Sequence, residues 1–331
     1  MSDRVIPVVL ATDSGFVVPT YISLYSMLKN VSADREIDIY ILSPGDYSSE
    51  TVGWFKGLEK TFGNARINII DMGDKYKDID IKLNHVRYPT FYRLSIPELL
   101  PRYDKCIYLD SDIVVEGDIA EYYDIDMEGY CIAGVKDIGL SEREQNERMK
   151  ILGIDSMDEY INTGTLLMNL GQIRQMGIED ALKQGARRNY PCSDQDVLNA
   201  VCYGSIKTLP LKYNAMTRCT YYGNKEQRAM YGEGYAEAVA APVVVHYIGG
   251  KVKPWVSRFV LGGSLWWKYV SELDEDDRKH FVEPFIARCK PSMKLRAAVL
   301  CSSVLKKLGL YDGIVKLLKS TGLFRKIKKK L

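Results

Sequence analysis

Within its first 72 residues the chain alternates short apolar runs with amphipathic stretches, and few folds accept that order. Residues 5–11 read as a buried strand, 37–42 alternate as a strand does, and 66–72 form a third such run. Between them, 17–30 and 48–62 carry apolar side chains at helical spacing. Strand–helix–strand–helix–strand predicts a parallel sheet with helices on its faces. A helix is then expected near 89–96, followed by a strongly apolar strand, 105–109, which ends in Asp110-Ser111-Asp112, and a second apolar segment at 113–115. Strands at 130–135, 165–168 and 243–246 and helices at 178–189 and 194–203 continue the pattern, and beyond Trp255 the chain turns helical and basic. Its 331 residues suffice for one large α/β domain, placed at 1–260, with a helical, basic extension at 261–331.

Composition narrows the setting. Apolar content of 46% and charged content of 27% are those of a globular protein with a real core. Seven scattered cysteines without a CxxC argue against a disulfide framework or a zinc site and fit a reducing cytosol. The run 5–11 is too short for a signal peptide, and no apolar stretch approaches the roughly 20 residues of a spanning helix. The net charge of +2 conceals a split. From Arg288 to Leu331 there are 13 Lys or Arg and one acid, a net of +12; residues 1–287 hold 32 basic and 42 acidic residues, a net of −10. Leu, Ile and Val interleave the basic residues of this tail. An interfacial anchor on the anionic, cytoplasmic face of a membrane is therefore expected. The alternative is a helical hairpin packed on the domain with a solvated basic face. Nucleic acid is not expected as a partner, because no binding motif accompanies the charge.

The chemistry gathers at strand ends. In open α/β sheets ligands sit outside the carboxyl ends of the strands, where Asp110 and Asp112 lie. With Ser111 between them in extended backbone, the two side chains start on one face. Carboxylates so close repel unless a cation lies between them, and their oxygens suit Mn²⁺ or Mg²⁺, which also bridge nucleotide phosphates. Two solvated acids in a loop are the plainer alternative. His246, one of three histidines, likewise ends an apolar strand and could complete a mixed nitrogen and oxygen set. The loop after it, with Gly249, Gly250, Lys251 and Lys253, can present N–H and ammonium groups to a pyrophosphate. It is no Walker sequence, and no GxGxxG follows the first strand, so neither ATP hydrolysis nor a dinucleotide is indicated.

Six segments in order resemble the family-8 retaining glycosyltransferases, which include glycogenin, galactinol synthase and bacterial lipopolysaccharide galactosyl- and glucosyltransferases. They are Pro7 to Asp13, Phe91-Tyr92-Arg93-Leu94, Tyr108 to Asp112, Asn162-Thr163-Gly164, Asp194-Gln195-Asp196 and His246 to Trp255. The resemblance implies a glycosyltransferase-A type fold, a Rossmann-like mixed sheet flanked by helices. It implies a Mn²⁺- or Mg²⁺-dependent transfer of a hexose from a UDP-sugar to a saccharide or glycolipid, such as lipopolysaccharide or another cell-surface glycan, with retention of configuration. It assigns Ala11 and Asp13 to the nucleoside pocket, Asp13 accepting from the uracil. Asp110, Asp112 and His246 would be metal ligands, with the Ser111 main chain on the ribose. Arg93 would hold donor sugar or phosphate, and Asn162 and Asp194 sugar hydroxyls. Gln195 would lie nearest the anomeric carbon, and Gly249 and Lys253 against the pyrophosphate. The spacing from His246 to Lys253 is one residue longer than is usual, which makes Lys251 a competing phosphate lysine.

Each assignment has a plain structural alternative: a turn cap for Asn162, a helix N-cap for Asp194 and an ordinary surface charge for Arg93. Two other functions also compete. A sugar-nucleotide nucleotidyltransferase shares the sheet and the carboxylate-bound metal, but usually opens with a Gly-rich loop that Thr12-Asp13-Ser14-Gly15 is not. A non-catalytic carbohydrate-binding protein would have little need to keep the acids, the histidine and the lysines together.

Overall fold

The protein is described from a computed structural model covering residues 4–79, 87–221, 223, 225–249, 253–289, 293–311 and 313–314. Among these residues, seven strands form the main sheet. In chain order they are β1 (Val5–Ala11), β2 (Glu36–Ser43), β3 (Ala65–Asp71), β4 (Lys105–Leu109), β6 (Ile132–Lys136), β7 (Ile161–Asn169) and β8 (Ile206–Leu209). A second sheet takes β5 (Ile113–Val115), β9 (Ala215–Met216) and β10 (Val244–His246). The main sheet runs β3-β2-β1-β4-β7-β6-β8. β1 to β4 are mutually parallel, β7 is antiparallel to β4 and β6, and β8 is parallel to β6. The sheet is therefore mixed, as expected.

The N-terminal half follows its sequence pattern closely. Ile6, Val8, Val9 and Leu10 of β1 are all buried, as a central strand covered on both faces requires. Pairing with β4 is registered from Val8 onward, so Pro7, which lacks an N–H, precedes the part of β1 that has partners on both sides. Helix α1 (Val17–Asn30) is buried along most of its length. Helix α2 (Ser49–Phe62) presents Phe55 and Leu58 to the core. The Ser48 hydroxyl caps α2 by accepting from Thr51 N–H, and Gly63 ends it at φ +71°. Over 89–96 the expected helix is a 3₁₀ segment, Tyr88–Ser95, followed by one α turn, Ile96–Leu99.

The C-terminal region packs on the same core. In helix Gly263–Glu272, Trp266 and Tyr269 are fully buried, and the Tyr269 hydroxyl meets Asn30 Nδ2 of α1 at 2.6 Å. Phe281 stacks on Trp54 of α2 with ring centroids 3.9 Å apart. Helix Met293–Lys307 follows. Among the described residues, no helix is long and apolar enough to cross a membrane. Leu317, Leu318, Leu323, Phe324 and Ile327 of the expected anchor lie outside the described residues, as does Lys251.

Candidate active site

Backbone pairing brings the two strand ends together. β4 stops at Leu109 and β5 starts at Ile113, so Asp110-Ser111-Asp112 is a bend between two strands rather than a continuous extended run. β10 pairs antiparallel with β5 and sets His246 opposite Ile113, beside Asp112. β7 runs four residues further back than the expected 165–168. Leu109 pairs with Thr165, so Asn162, Thr163 and Gly164 continue past the end of β4, and Asp110 N–H donates to Gly164 C=O at 2.7 Å.

Ligand atoms of Asp110, Asp112 and His246 lie within 4.8 Å of one another. His246 Nε2 is 3.2 Å from Asp112 Oδ1 and 3.9 Å from Asp110 Oδ2. The other ring nitrogen, Nδ1, is 3.0 Å from Asn214 Oδ1. Asn214 directs its Nδ2 to Asn162 Oδ1 at 2.8 Å, so its carbonyl is the group facing the ring. With Nδ1–H donated to that carbonyl, Nε2 is the nitrogen left facing the two carboxylates, the arrangement in which an imidazole can ligate a metal ion. Two hard oxygen donors and one imidazole suit Mn²⁺ or Mg²⁺. Gly164 completes the cradle: a Cβ there would fall 2.2 Å from His246 Cε1 and 2.9 Å from Asp110 Oδ2.

Charge is neutralised from both sides. Lys253 Nζ, buried, bonds Asp112 and the Tyr247 carbonyl. Burial works to raise the Asp112 pKa, yet Lys253 and His246 hold the carboxyl far below the usual range. Arg93 is only 3% exposed, so it is no surface charge. It stacks 4.1 Å from the Tyr108 ring centre, pairs with Asp110 at 2.7 Å and with Asp194 at 3.0 Å, and donates to the Thr163 carbonyl at 2.7 Å. Its nitrogens thus fix two of the expected site acids. Burial raises the Asp194 pKa to about 6 against the pull of Arg93.

Asp194 and Gln195 lie on helix Ser193–Val201, whose N-cap is Cys192, so Asp194 is not the cap. Asn199 of the same helix clamps β7 by bonding both the N–H and the C=O of Ile161. Gln195 is oriented by four partners. Its Oε1 accepts from Asn162 Nδ2 and Thr163 N–H; its Nε2 donates to Asp137 and to the Tyr160 hydroxyl. Tyr160 donates in turn to Asp196 at 2.6 Å, a carboxylate that also takes Arg148 and the Cys192 N–H. Asn162 is a strand residue whose Oδ1 accepts the Gly164 N–H two residues on, as a local cap does, and whose side chain also links Gln195 to Asn214.

A cavity of about 570 Å³ opens over these groups. Asp110, Ser111, Asp112, His246, Gly249 and Lys253 line it, with Ala11, Asp13, Arg93, Asn162, Asp194 and Gln195. Asp13 caps the turn after β1 through Gly15 N–H and pairs with Arg87 at 3.3 Å. Gly249, at φ +98°, lets the chain turn sharply after β10. Every expected site residue among those described thus belongs to one cavity. Sequence patterns do not single out Asn214, Tyr108, Asp137 or Thr90, whose hydroxyl bonds Asp194 and accepts from Arg93. Tyr108 stood in a quoted segment without a role, and Asn214 lies in a stretch whose periodicity signals nothing.

The sequence profile of glycosyl transferase family 8 matches residues 7–258. The chain belongs to glycosyl transferase family 8. Among relatives, General stress protein A of Bacillus subtilis is 26% identical over 265 residues, 77% of this chain and 89% of that protein. Glycosyltransferase GlyF of Streptococcus pneumoniae is 27% identical over 79% of this chain and 60% of its own length. A lipopolysaccharide 1,2-glucosyltransferase of Escherichia coli K12 is 26% identical over 50% of this chain and 48% of its own. Among solved structures, the bifunctional glycosyltransferase WbbM superposes with a TM-score of 0.72 at 23% identity, covering 87% of this chain but only 52% of WbbM. The galactosyltransferase LgtC, in complex with donor and acceptor sugar analogs, gives 0.66 at 22% identity over 82% of this chain and 99% of LgtC. The family-8 chain thus has the glycosyltransferase-A type fold and is a glycosyltransferase, acting on a sugar donor and an acceptor. The nucleotidyltransferase and non-catalytic readings fall away.

Proposed function

We propose that this family-8 enzyme transfers a hexose from a UDP-sugar to a saccharide or glycolipid of a cell-surface glycan such as lipopolysaccharide, with Mn²⁺ or Mg²⁺ and with retention. The observation that carries this reading is the convergence of Asp110, Asp112 and His246 on the floor of a cavity whose wall also holds Asp13 and Lys253. A bound divalent ion supplies Lewis-acid neutralisation of the diphosphate as the sugar–phosphate bond breaks. The Lys253 ammonium adds fixed positive charge for the leaving diphosphate. Asp13 accepts from the uracil, and the Ser111 main chain meets the ribose. Arg93 and Tyr108 hold Asp110 and Asp194 against movement while charge develops.

Gln195 offers only an amide, already bonded at both ends, and Asp194 is tied to Arg93. Both observations favour attack by the acceptor on the face the diphosphate leaves, with that phosphate taking the acceptor's proton. The transition state is oxocarbenium-like, as in glycoside hydrolysis. The test is a UDP-release screen across UDP-glucose, UDP-galactose and their N-acetyl analogues, with Mn²⁺ and with EDTA. Release from one donor that EDTA abolishes is expected; no release from any donor defeats the reading.

The same reading places the enzyme on the cytoplasmic face of a membrane through its basic C-terminal region. Supporting it are the net +12 of residues 288–331 and the exposure of Met293, Leu300, Val304, Leu308 and Leu310. Co-sedimentation with anionic and neutral liposomes, full length against a chain truncated near Arg288, tests it. Equal binding by both chains would leave the tail no such role.

A further inference from the structure

A second cavity, of about 760 Å³, lies between the segment after Lys253, helix Gly263–Glu272 and the C-terminal helices. Trp255 and Val256 line both it and the cavity over the metal cradle, so the two share a wall. Val270, Val282 and Ile286 give this groove an apolar lining. Three guanidiniums, of Arg258, Arg278 and Arg296, face it against one carboxylate, Glu283. No ion pair engages any of the three arginines among the described residues, although Arg258 lies 3.7 Å from the Trp267 ring centre. Three guanidiniums against one carboxylate leave the groove with an excess of positive charge, which suits an anion. The stacking of Arg258 on Trp267 fixes one guanidinium in advance of any ligand.

The rim is apolar as well. Phe259, 52% exposed, projects beside Arg258, and the Ser303 hydroxyl binds the Phe259 carbonyl, so helix Met293–Lys307 with its exposed Leu300 and Val304 borders the groove. The matching ligand has a multiply charged phosphate head and a hydrocarbon chain that leaves over the apolar rim. The wall shared with the donor cavity identifies it as the substrate rather than as bulk lipid.

We propose that this groove binds the phosphate-bearing head and proximal chain of a lipid-linked acceptor, with Arg258, Arg278 and Arg296 on the phosphate and Trp267 and Phe259 along the chain. The inference rests on the reading that the acceptor is a glycolipid, and it names the chemistry of that lipid. Its test therefore measures binding without any donor. The full chain is titrated with decyl phosphate below its micellar concentration and followed by tryptophan fluorescence, since Trp255 and Trp267 line the groove. Saturable binding is expected, weakened about tenfold or more by Arg258→Gln with Arg278→Gln, the scale of a lost charge-assisted bond. Lys253→Ala should leave it unchanged, which separates the groove from the donor cavity. Dihexanoylphosphatidylglycerol, a singly charged phosphodiester, should bind more weakly than decyl phosphate.

Three results would overturn the proposal: inorganic phosphate or decyl maltoside binding as tightly as decyl phosphate, the two arginine substitutions leaving the affinity unchanged, or dihexanoylphosphatidylglycerol binding as tightly as decyl phosphate. UDP release that persists while decyl phosphate fails to bind would defeat the groove alone. Decyl phosphate binding without UDP release from any donor would defeat the donor reading alone. No ion pair among the described residues is broken by these substitutions, and a melting curve for each variant confirms that it folds.

Discussion

Gly164→Ala is a single-methyl test of the metal cradle. Gly164 lies in β7 with ordinary strand backbone, so alanine is conformationally permitted and the cost is steric. The new Cβ would stand 2.2 Å from His246 Cε1, 2.7 Å from its Nδ1 and 2.9 Å from Asp110 Oδ2. Carbon contacts settle at about 3.5 Å, so roughly 1.3 Å of movement is required. The His246 ring has little freedom to supply it, being 3% exposed and bonded to Asn214. Overpacking of this kind costs about 1–3 kcal/mol of stability. Displacing one ligand by about 1 Å should also lower Mn²⁺ affinity and turnover, the latter on the order of 10²-fold. Paramagnetic resonance titration of Mn²⁺ and thermal melting, run on the same sample, measure the two effects. A Gly164→Ala chain that binds Mn²⁺ like wild type would show that the three ligands do not act from the positions described.

Four further outcomes are expected. Asp110→Asn should lower kcat by about 10²- to 10³-fold with the melting temperature little changed, and full activity in EDTA would refute the metal reading. Asn214→Leu frees the His246 tautomer and should weaken Mn²⁺ binding about 10- to 100-fold; unchanged affinity would mean that the ring is held by other contacts. Lys253→Ala should weaken UDP binding more than Lys251→Ala does, and calorimetry giving the reverse order would move the phosphate contact to Lys251. Asp194 should titrate near 6 because burial favours its neutral form. If its charge anchors Arg93, kcat/KM rises with pH through about 6, and Asp194→Asn flattens that limb. The stability effect has the opposite sign. The folded chain keeps this proton up to about pH 6 and the unfolded chain releases it near 3.8, so the contribution of Asp194 to stability falls as pH rises between those values and is flat above. Melting curves of wild type against Asp194→Asn across that window would expose a wrong sign.

Much of the fold was legible because its first half is regular. β1, α1 and β4 begin and end where periodicity places them, since the cores on the two faces of the sheet select their apolar residues. Legibility failed where tertiary contacts replace periodicity. β7 was placed four residues short, because Asn162-Thr163-Gly164 is a polar, glycine-containing stretch that becomes strand through its neighbours. Helix Glu142–Leu152 passed unnoticed despite a capping box of Ser141 and Glu144, for it buries only Leu152 and has almost no apolar stripe. β8 and β9, with four and two residues, are too short to show a period. The acids, the histidine and Arg93 were visible as motifs. Their positioning partners were not, because Asn214 acts through side-chain hydrogen bonds to residues distant in sequence.

The small sheet has a consequence in time. β5 is joined by β10, so the histidine of the cradle is made 134 residues after Asp112. At ribosomal speeds of about 5–20 residues per second that is a lag of roughly 7–27 s. Through this interval the nascent chain holds both aspartates with neither His246 nor Lys253 available. Arg93, translated before either aspartate, is the one cation of the cradle present from the start and pairs with Asp110. The order of synthesis thus supplies the partner of Asp110 before Asp110 itself and leaves Asp112 to wait for the last third of the chain.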